Sequence, residues 1–204
     1  PLTFADLWGV TESDPAERQR RIVELSHDPG ARKVDLQMMT TDLTHGRPMR
    51  LPSTYQRHNP RLEDGGGLYF DPTELERFFP RDIVEHLRAH APEMSDDSAA
   101  DLRAAGAPDT LVRFPAGPDL PVVVATRMSL SFPVLIAALP LWELRYRAGG
   151  APPRLRRVLF SDGGITSNFP VHFFDAPLPT RPTFALHLTG FDECERPDPP
   201  GPRP

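Results

Sequence analysis

The chain has 204 residues, 39% hydrophobic and 25% charged, with a net charge of −5. That is enough to bury a real core, and it excludes both a disordered polyampholyte and a membrane bundle. The longest apolar stretch, Phe132 to Trp142, falls short of the ~18–20 residues a transmembrane helix needs, and no basic stripe suggests nucleic acid as a partner. The single cysteine, Cys194, excludes an internal disulfide framework and a cysteine-based zinc site.

Proline is abundant, 26 of 204 residues, and several copies punctuate the chain. Asp14-Pro15 opens a predicted helix through Leu25, with Asp as N-cap and Pro in the first turn. Val34 to Leu43 alternates apolar and polar residues and predicts a strand; Gly46-Arg47-Pro48 then turns into a second, Met49 to Leu51. Arg57 to Gly67 reads as loop. Asp71-Pro72 caps a helix over about Thr73 to Phe79, Pro80 opens another through Ala89, and Ser98 to Ala105 is a third.

Val122-Val123-Val124 favours a strand on propensity, whereas Asp119-Leu120-Pro121 is a helix opening, so both assignments stand. Phe132 to Arg145 predicts a helix with Pro140 as kink or break. Arg156 to Phe160 is a short buried-type strand running into Ser161-Asp162-Gly163-Gly164. A helix from Pro170 to Phe174 and a strand from Phe184 to Leu188 follow. Strands alternating with helices predict an α/β fold with a mostly parallel sheet. Residues 1–190 read as one domain portion and 191–204 as a proline-rich tail or linker. No signal-peptide pattern leads the chain and both ends read as cuts in a longer one; the compartment stays open, with the cytoplasm or a membrane surface favoured over secretion.

The sharpest local feature is the acid after that last strand. An Asp at the carboxyl end of a buried strand lies where open α/β sheets hold ligands, and two following glycines allow a sharp turn and close approach. A plain Asp-Gly turn explains the same pattern. His86 and His90 share a helix face, but they lack H-E-x-x-H and a third ligand, so no metal is expected there. Gly65-Gly66-Gly67 has no P-loop Lys after it. His172 follows Asp162 by ten residues and could complete a triad, although a histidine at an apolar helix start is more often structural. None of the nine serines sits in G-x-S-x-G.

Four stretches together resemble the patatin-like phospholipase family. Ser161-Asp162-Gly163-Gly164-Ile165-Thr166-Ser167-Asn168-Phe169-Pro170 is similar to its D-G-[GA] motif with the following Asn-x-Pro. Ala125 to Pro133 is similar to the A-x-R-x-[ST]-x-x-x-P segment before it. Leu2-Thr3-Phe4-Ala5-Asp6-Leu7-Trp8 and Thr41-Asp42-Leu43-Thr44-His45-Gly46-Arg47 resemble the mid-domain LTFxDLW and TDLxxGR stretches.

The resemblance implies a three-layer α/β/α hydrolase fold, incomplete at its N-terminus, with Val122 to Ser131 helical. It implies a lipid acyl hydrolase using a Ser–Asp dyad without histidine, metal or cofactor. Asp162 matches the base, Gly163 and Gly164 the motif glycines, and Asn168 the first Asn of the Asn-Asn-Pro variant. The expected partners are a lipid or acyl-ester substrate and a peripheral membrane surface. In the family the oxyanion loop and serine elbow precede LTFxDLW, so these 204 residues alone are expected to be inactive. A catalytically inactive binding domain of the same fold is the alternative.

Overall fold

A computed structural model describes residues 1–53, 67–115, 117–146 and 152–167. Six strands form one sheet: β1 (Met38–Asp42), β2 (Arg47–Leu51), β3 (Leu68–Phe70), β4 (Val112–Arg113), β5 (Leu139–Arg145) and β6 (Arg154–Asp162). Their order is β2-β1-β6-β5-β3-β4. Every pairing among them is antiparallel. The expectation of a mostly parallel sheet is therefore corrected. Alternating strands and helices in sequence does not fix strand direction: here two neighbours are local hairpins, β1–β2 and β5–β6, and β6 reaches β1 from the far end of the chain.

The sheet buries apolar side chains on both faces. On one, Leu139, Leu141, Val158 and Phe160 pack with residues from α4 (Arg81–Ala89) and α6 (Val122–Ser129). On the other, Tyr69 and Leu144 pack with Leu102 of α5 (Asp96–Ala104) and with Leu111. Burying two side-chain sets by alternation is what a period of two residues imposes on a covered sheet. A separate small cluster joins Ala5 and Trp8 of α1 (Phe4–Trp8) to Ile22 and Leu25 of α2 (Pro15–His27). Arg32 stacks its guanidinium 3.8 Å from the Trp8 ring. Among the described residues no helix is long and apolar enough to cross a membrane.

Helix starts follow the caps read from the sequence. Asp14 accepts from the amides of Ala16 and Glu17, and Asp71 from Thr73. The Asp71 helix, α3 (Pro72–Leu75), is shorter than expected and ends in turns before Pro80. Ser95 caps α5 two residues ahead of its expected start. The valine segment is helical: Pro121 stands at the cap of α6, and Val124, Ala125 and Met128 enter the core. Burial of that stripe overrides the strand preference of three valines.

Two sequence expectations fail here. The strand predicted from Val34 is confined to Met38–Asp42. The helix predicted over Phe132 to Arg145 is an exposed loop followed by β5. Seven consecutive pairs with β6, Leu139↔Phe160 through Arg145↔Arg154, satisfy its backbone. Pro140 is tolerated because β3 pairs only with Trp142 and Glu143, leaving Pro140 unpaired on its second side. The helix expected from Pro170, the strand at Phe184–Leu188, His172, Cys194 and the 191–204 tail lie outside the described residues.

Candidate functional site

Asp162 ends β6 and caps the 3-10 turn Gly163–Ile165. Its position at the carboxyl end of a sheet strand is the one expected from the sequence, and four contacts fix its backbone and side chain. It is paired with Thr40 of β1. Its N–H donates to the Ser131 carbonyl at 3.2 Å, and its own carbonyl accepts from Thr41 Oγ1 at 2.7 Å. One carboxylate oxygen accepts from the Gly164 N–H at 3.2 Å. Among the described residues the other oxygen has no partner, and the side chain is only half-buried. That leaves it able to accept a proton from an incoming group.

Gly163 is required by packing. A Cβ there would meet the Met39 carbonyl carbon at 2.9 Å and its oxygen closer still. The turn after Asp162 thus presses directly on β1, and only a residue without a side chain fits. Gly164 supplies the amide that holds the carboxylate. Asn168 lies outside the described residues.

The hydroxyls around Asp162 are already committed. Ser161 Oγ donates to the Ser131 carbonyl at 2.6 Å, and Ser131 Oγ to the Arg127 carbonyl at 2.6 Å. Both serines are fully buried. Thr40 Oγ1 lies 2.7 Å from the Ser161 carbonyl and 3.1 Å from that of Met128. None of these is a free nucleophile, since each proton is held by a carbonyl. They form a scaffold that joins α6 and the loop after it to β1 and β6.

Three of the four stretches singled out in the sequence meet in this scaffold, and the fourth, at Leu2–Trp8, packs against the opposite end of α6. Thr3 caps α1 reciprocally with Asp6, and it forms a bridge with Pro121 at the entry to α6. The Leu2 carbonyl accepts from Val122 N–H at 2.9 Å. From the far end of α6, Arg127 reaches both Ser131 Oγ and the Ala137 carbonyl, the latter at 2.8 Å, and closes the loop between them. Burial holds the Arg127 pKa below its ordinary value.

One cluster was not foreseen. His45, on the turn between β1 and β2, places Nδ1 2.6 Å from Asp42 Oδ2 and Nε2 3.2 Å from Glu143 Oε1 of β5. The Thr44 and His45 amides also donate to Asp42 Oδ1. The cluster spans β6 and ties β1 to β5 two residues beyond Thr40. No sequence signal links Asp42 to Glu143, because their proximity arises from the sheet order. His86 and His90 stack with ring centroids 4.0 Å apart, each ring also donating to a backbone carbonyl. Among the described residues no group of three acidic, histidine or cysteine side chains could hold a metal.

No family model matches the chain, and no solved structure matches it. The chain is similar to the protein named RpoH suppressor of Rhizobium meliloti (strain 1021). The two are 35% identical over 227 aligned positions, which cover 92% of this chain and 31% of that protein. This chain thus spans about a third of the length of that curated relative.

Proposed function

We propose that this chain carries the catalytic Asp of a lipid acyl hydrolase with a Ser–Asp dyad, on the three-layer fold of patatin-like phospholipases. The reading is carried by one observation: two of the other family-like stretches hold Asp162 directly, through the Ser131 carbonyl and Thr41 Oγ1, and its outer carboxylate oxygen is left without a partner among the described residues. Helices packed on both faces of the sheet support a three-layer arrangement.

In this mechanism a serine outside the 204 residues gives its Oγ proton to Asp162 and attacks the ester carbonyl. The tetrahedral intermediate collapses, the protonated Asp162 returns the proton to the departing alcohol, and an acyl-enzyme remains. Asp162 then takes a proton from water, whose hydroxide oxygen attacks the acyl carbon. The second tetrahedral intermediate then collapses, its bond to the serine Oγ breaks, and the protonated Asp162 returns the proton to that oxygen, leaving a carboxylic acid, the regenerated serine and an ionised Asp162. Rigid placement of the base matters because the reacting atoms must sit within hydrogen-bond reach. The scaffold of Ser131, Thr40 and Thr41 supports that rigidity.

A second reading has an observation of its own. Asp162 is also an ordinary turn cap, held by Gly164, and no hydroxyl among the described residues touches its carboxylate. That favours an inactive interaction domain. The two readings separate in a longer protein that contains these residues together with the segment preceding them. Ester hydrolysis that disappears in Asp162→Asn with an unchanged circular-dichroism spectrum supports the dyad, and turnover at the parental rate supports the interaction domain.

A further inference from the structure

Arg127, in the last turn of α6, has no carboxylate partner among the described residues, and burial is the one influence acting on its charge. Withdrawing a guanidinium from water is unfavourable, and here no ion pair offsets it. Its donors go instead to the loop between α6 and β5: Nη1 to Ser131 Oγ, and Nη2 to the Ala137 carbonyl at 2.8 Å. Ser131 Oγ donates back to the Arg127 carbonyl at 2.6 Å, so the two residues are bonded in both directions. Ending a helix does not account for these contacts. An arginine that only capped α6 would donate to the last carbonyls of α6 itself, and neither of these two bonds does.

What the clasp holds is the point at which this loop meets Asp162. Ser131 is fully buried between two exposed neighbours, Leu130 and Phe132. Its carbonyl accepts both the Asp162 N–H at 3.2 Å and Ser161 Oγ at 2.6 Å. We infer that Arg127 is a positioning residue for Asp162: by joining residues 131 and 137 across the neck of the loop, it fixes the Ser131 carbonyl and, through it, the backbone of the base. The inference rests on the dyad reading and adds to it a residue that touches neither substrate nor reacting atoms. β1 holds Asp162 from one side, through the pairing with Thr40 and the bond from Thr41 Oγ1. The Ser131 carbonyl is a separate anchor, and it sits on a loop whose neighbouring side chains gain no hold from the core. A planar guanidinium sets two contacts at once, which is why an arginine and not a lysine suits the neck.

The test is ester turnover in a longer protein that contains these residues together with the segment preceding them, with amide hydrogen exchange followed on the same samples. Arg127→Met keeps the apolar stem and removes every N–H donor. Its kcat falls on the order of 10²-fold, the cost of misplacing a reacting group by about 1 Å, and KM stays at the parental value. Arg127→Lys, able to keep one contact, lies between the two. In an Asp162→Asn background Arg127→Met lowers the residual turnover no further, because the group it positions is gone. Exchange of the Asp162 amide quickens by about tenfold, as loss of one backbone hydrogen bond allows, while the amides of β2 exchange as in the parent. Parental kcat in Arg127→Met, a rise in KM alone, the same fold-loss in both backgrounds, or unchanged exchange at Asp162 overturns the inference. Should Arg127→Met fail to fold, parental kcat and parental exchange in Arg127→Lys overturn it equally. The two proposals fail separately: parental turnover of Asp162→Asn counts against the dyad, whereas loss in Asp162→Asn beside parental turnover in Arg127→Met counts against the clasp alone. The exchange at Asp162 decides the clasp in either case.

Discussion

A methyl group on Gly163 would press on the Met39 carbonyl, so the turn after Asp162 depends on that position being glycine. Gly163→Ala is expected to destabilise by about 1–3 kcal/mol, as overpacking against backbone does. Chemical denaturation of the parent and the variant measures it, and an unchanged midpoint would mean that the turn relaxes at no cost. The close approach was legible only as a possibility in the Asp-Gly-Gly sequence. A tight turn and a packed turn share the same letters, and the neighbour that decides between them comes from β1, over a hundred residues earlier. His86 gives a second test at this scale. Burial is the largest influence on its pKa and lowers it, outweighing the bond to the Asp119 carbonyl; the neighbouring His90 lowers it further. The unfolded chain then binds the proton more readily than the folded one. The contribution of neutral His86 is full above the ordinary imidazole value of 6.5 and is lost as pH falls through the lower folded value. Thermal melts across that range should show the parent losing more stability on acidification than His86→Gln. Equal losses would contradict this origin.

At the scale of elements, the apolar run from Phe132 to Trp142 separates what sequence pattern can and cannot supply. Its residues fit a helical stripe, yet the first part is exposed loop and the second is β5. Periodicity cannot distinguish these when the run is nearly all apolar, because every template finds matches. Pairing with β6 decides the outcome, and pairing is not written in either strand alone. The two halves should respond differently to truncation. Leu141→Ala, inside the core cluster, is expected to cost about 2–5 kcal/mol, and Leu135→Ala to stay within about 0.5 kcal/mol. Equal effects in urea denaturation would contradict the division into loop and strand. Capped helices were far more legible. Asp14, Asp71, Pro80 and the proline before the three valines each marked a start within a residue or two, since capping is a local hydrogen-bond requirement that the sequence states directly.

For the molecule as a whole, helix–strand alternation led to the correct class, mixed α/β, and to the wrong strand direction. Direction follows from which strands become neighbours, and β6 lies between β1 and β5, partners from opposite ends of the described chain. The same order explains why the Asp42–His45–Glu143 cluster had no sequence signature while Asp162 had one. The cluster is made by tertiary proximity, and Asp162 by a strand end followed by glycines. The relative from Rhizobium meliloti extends well beyond the region matched here, and the dyad proposal requires a nucleophile from outside these residues. The central claim is therefore tested most directly by ester hydrolysis in a longer protein that contains them, comparing the parent with Asp162→Asn. The account predicts a folded variant whose turnover falls by about 10²–10⁴-fold, the usual worth of a general base. Near-parental turnover in folded Asp162→Asn would contradict it.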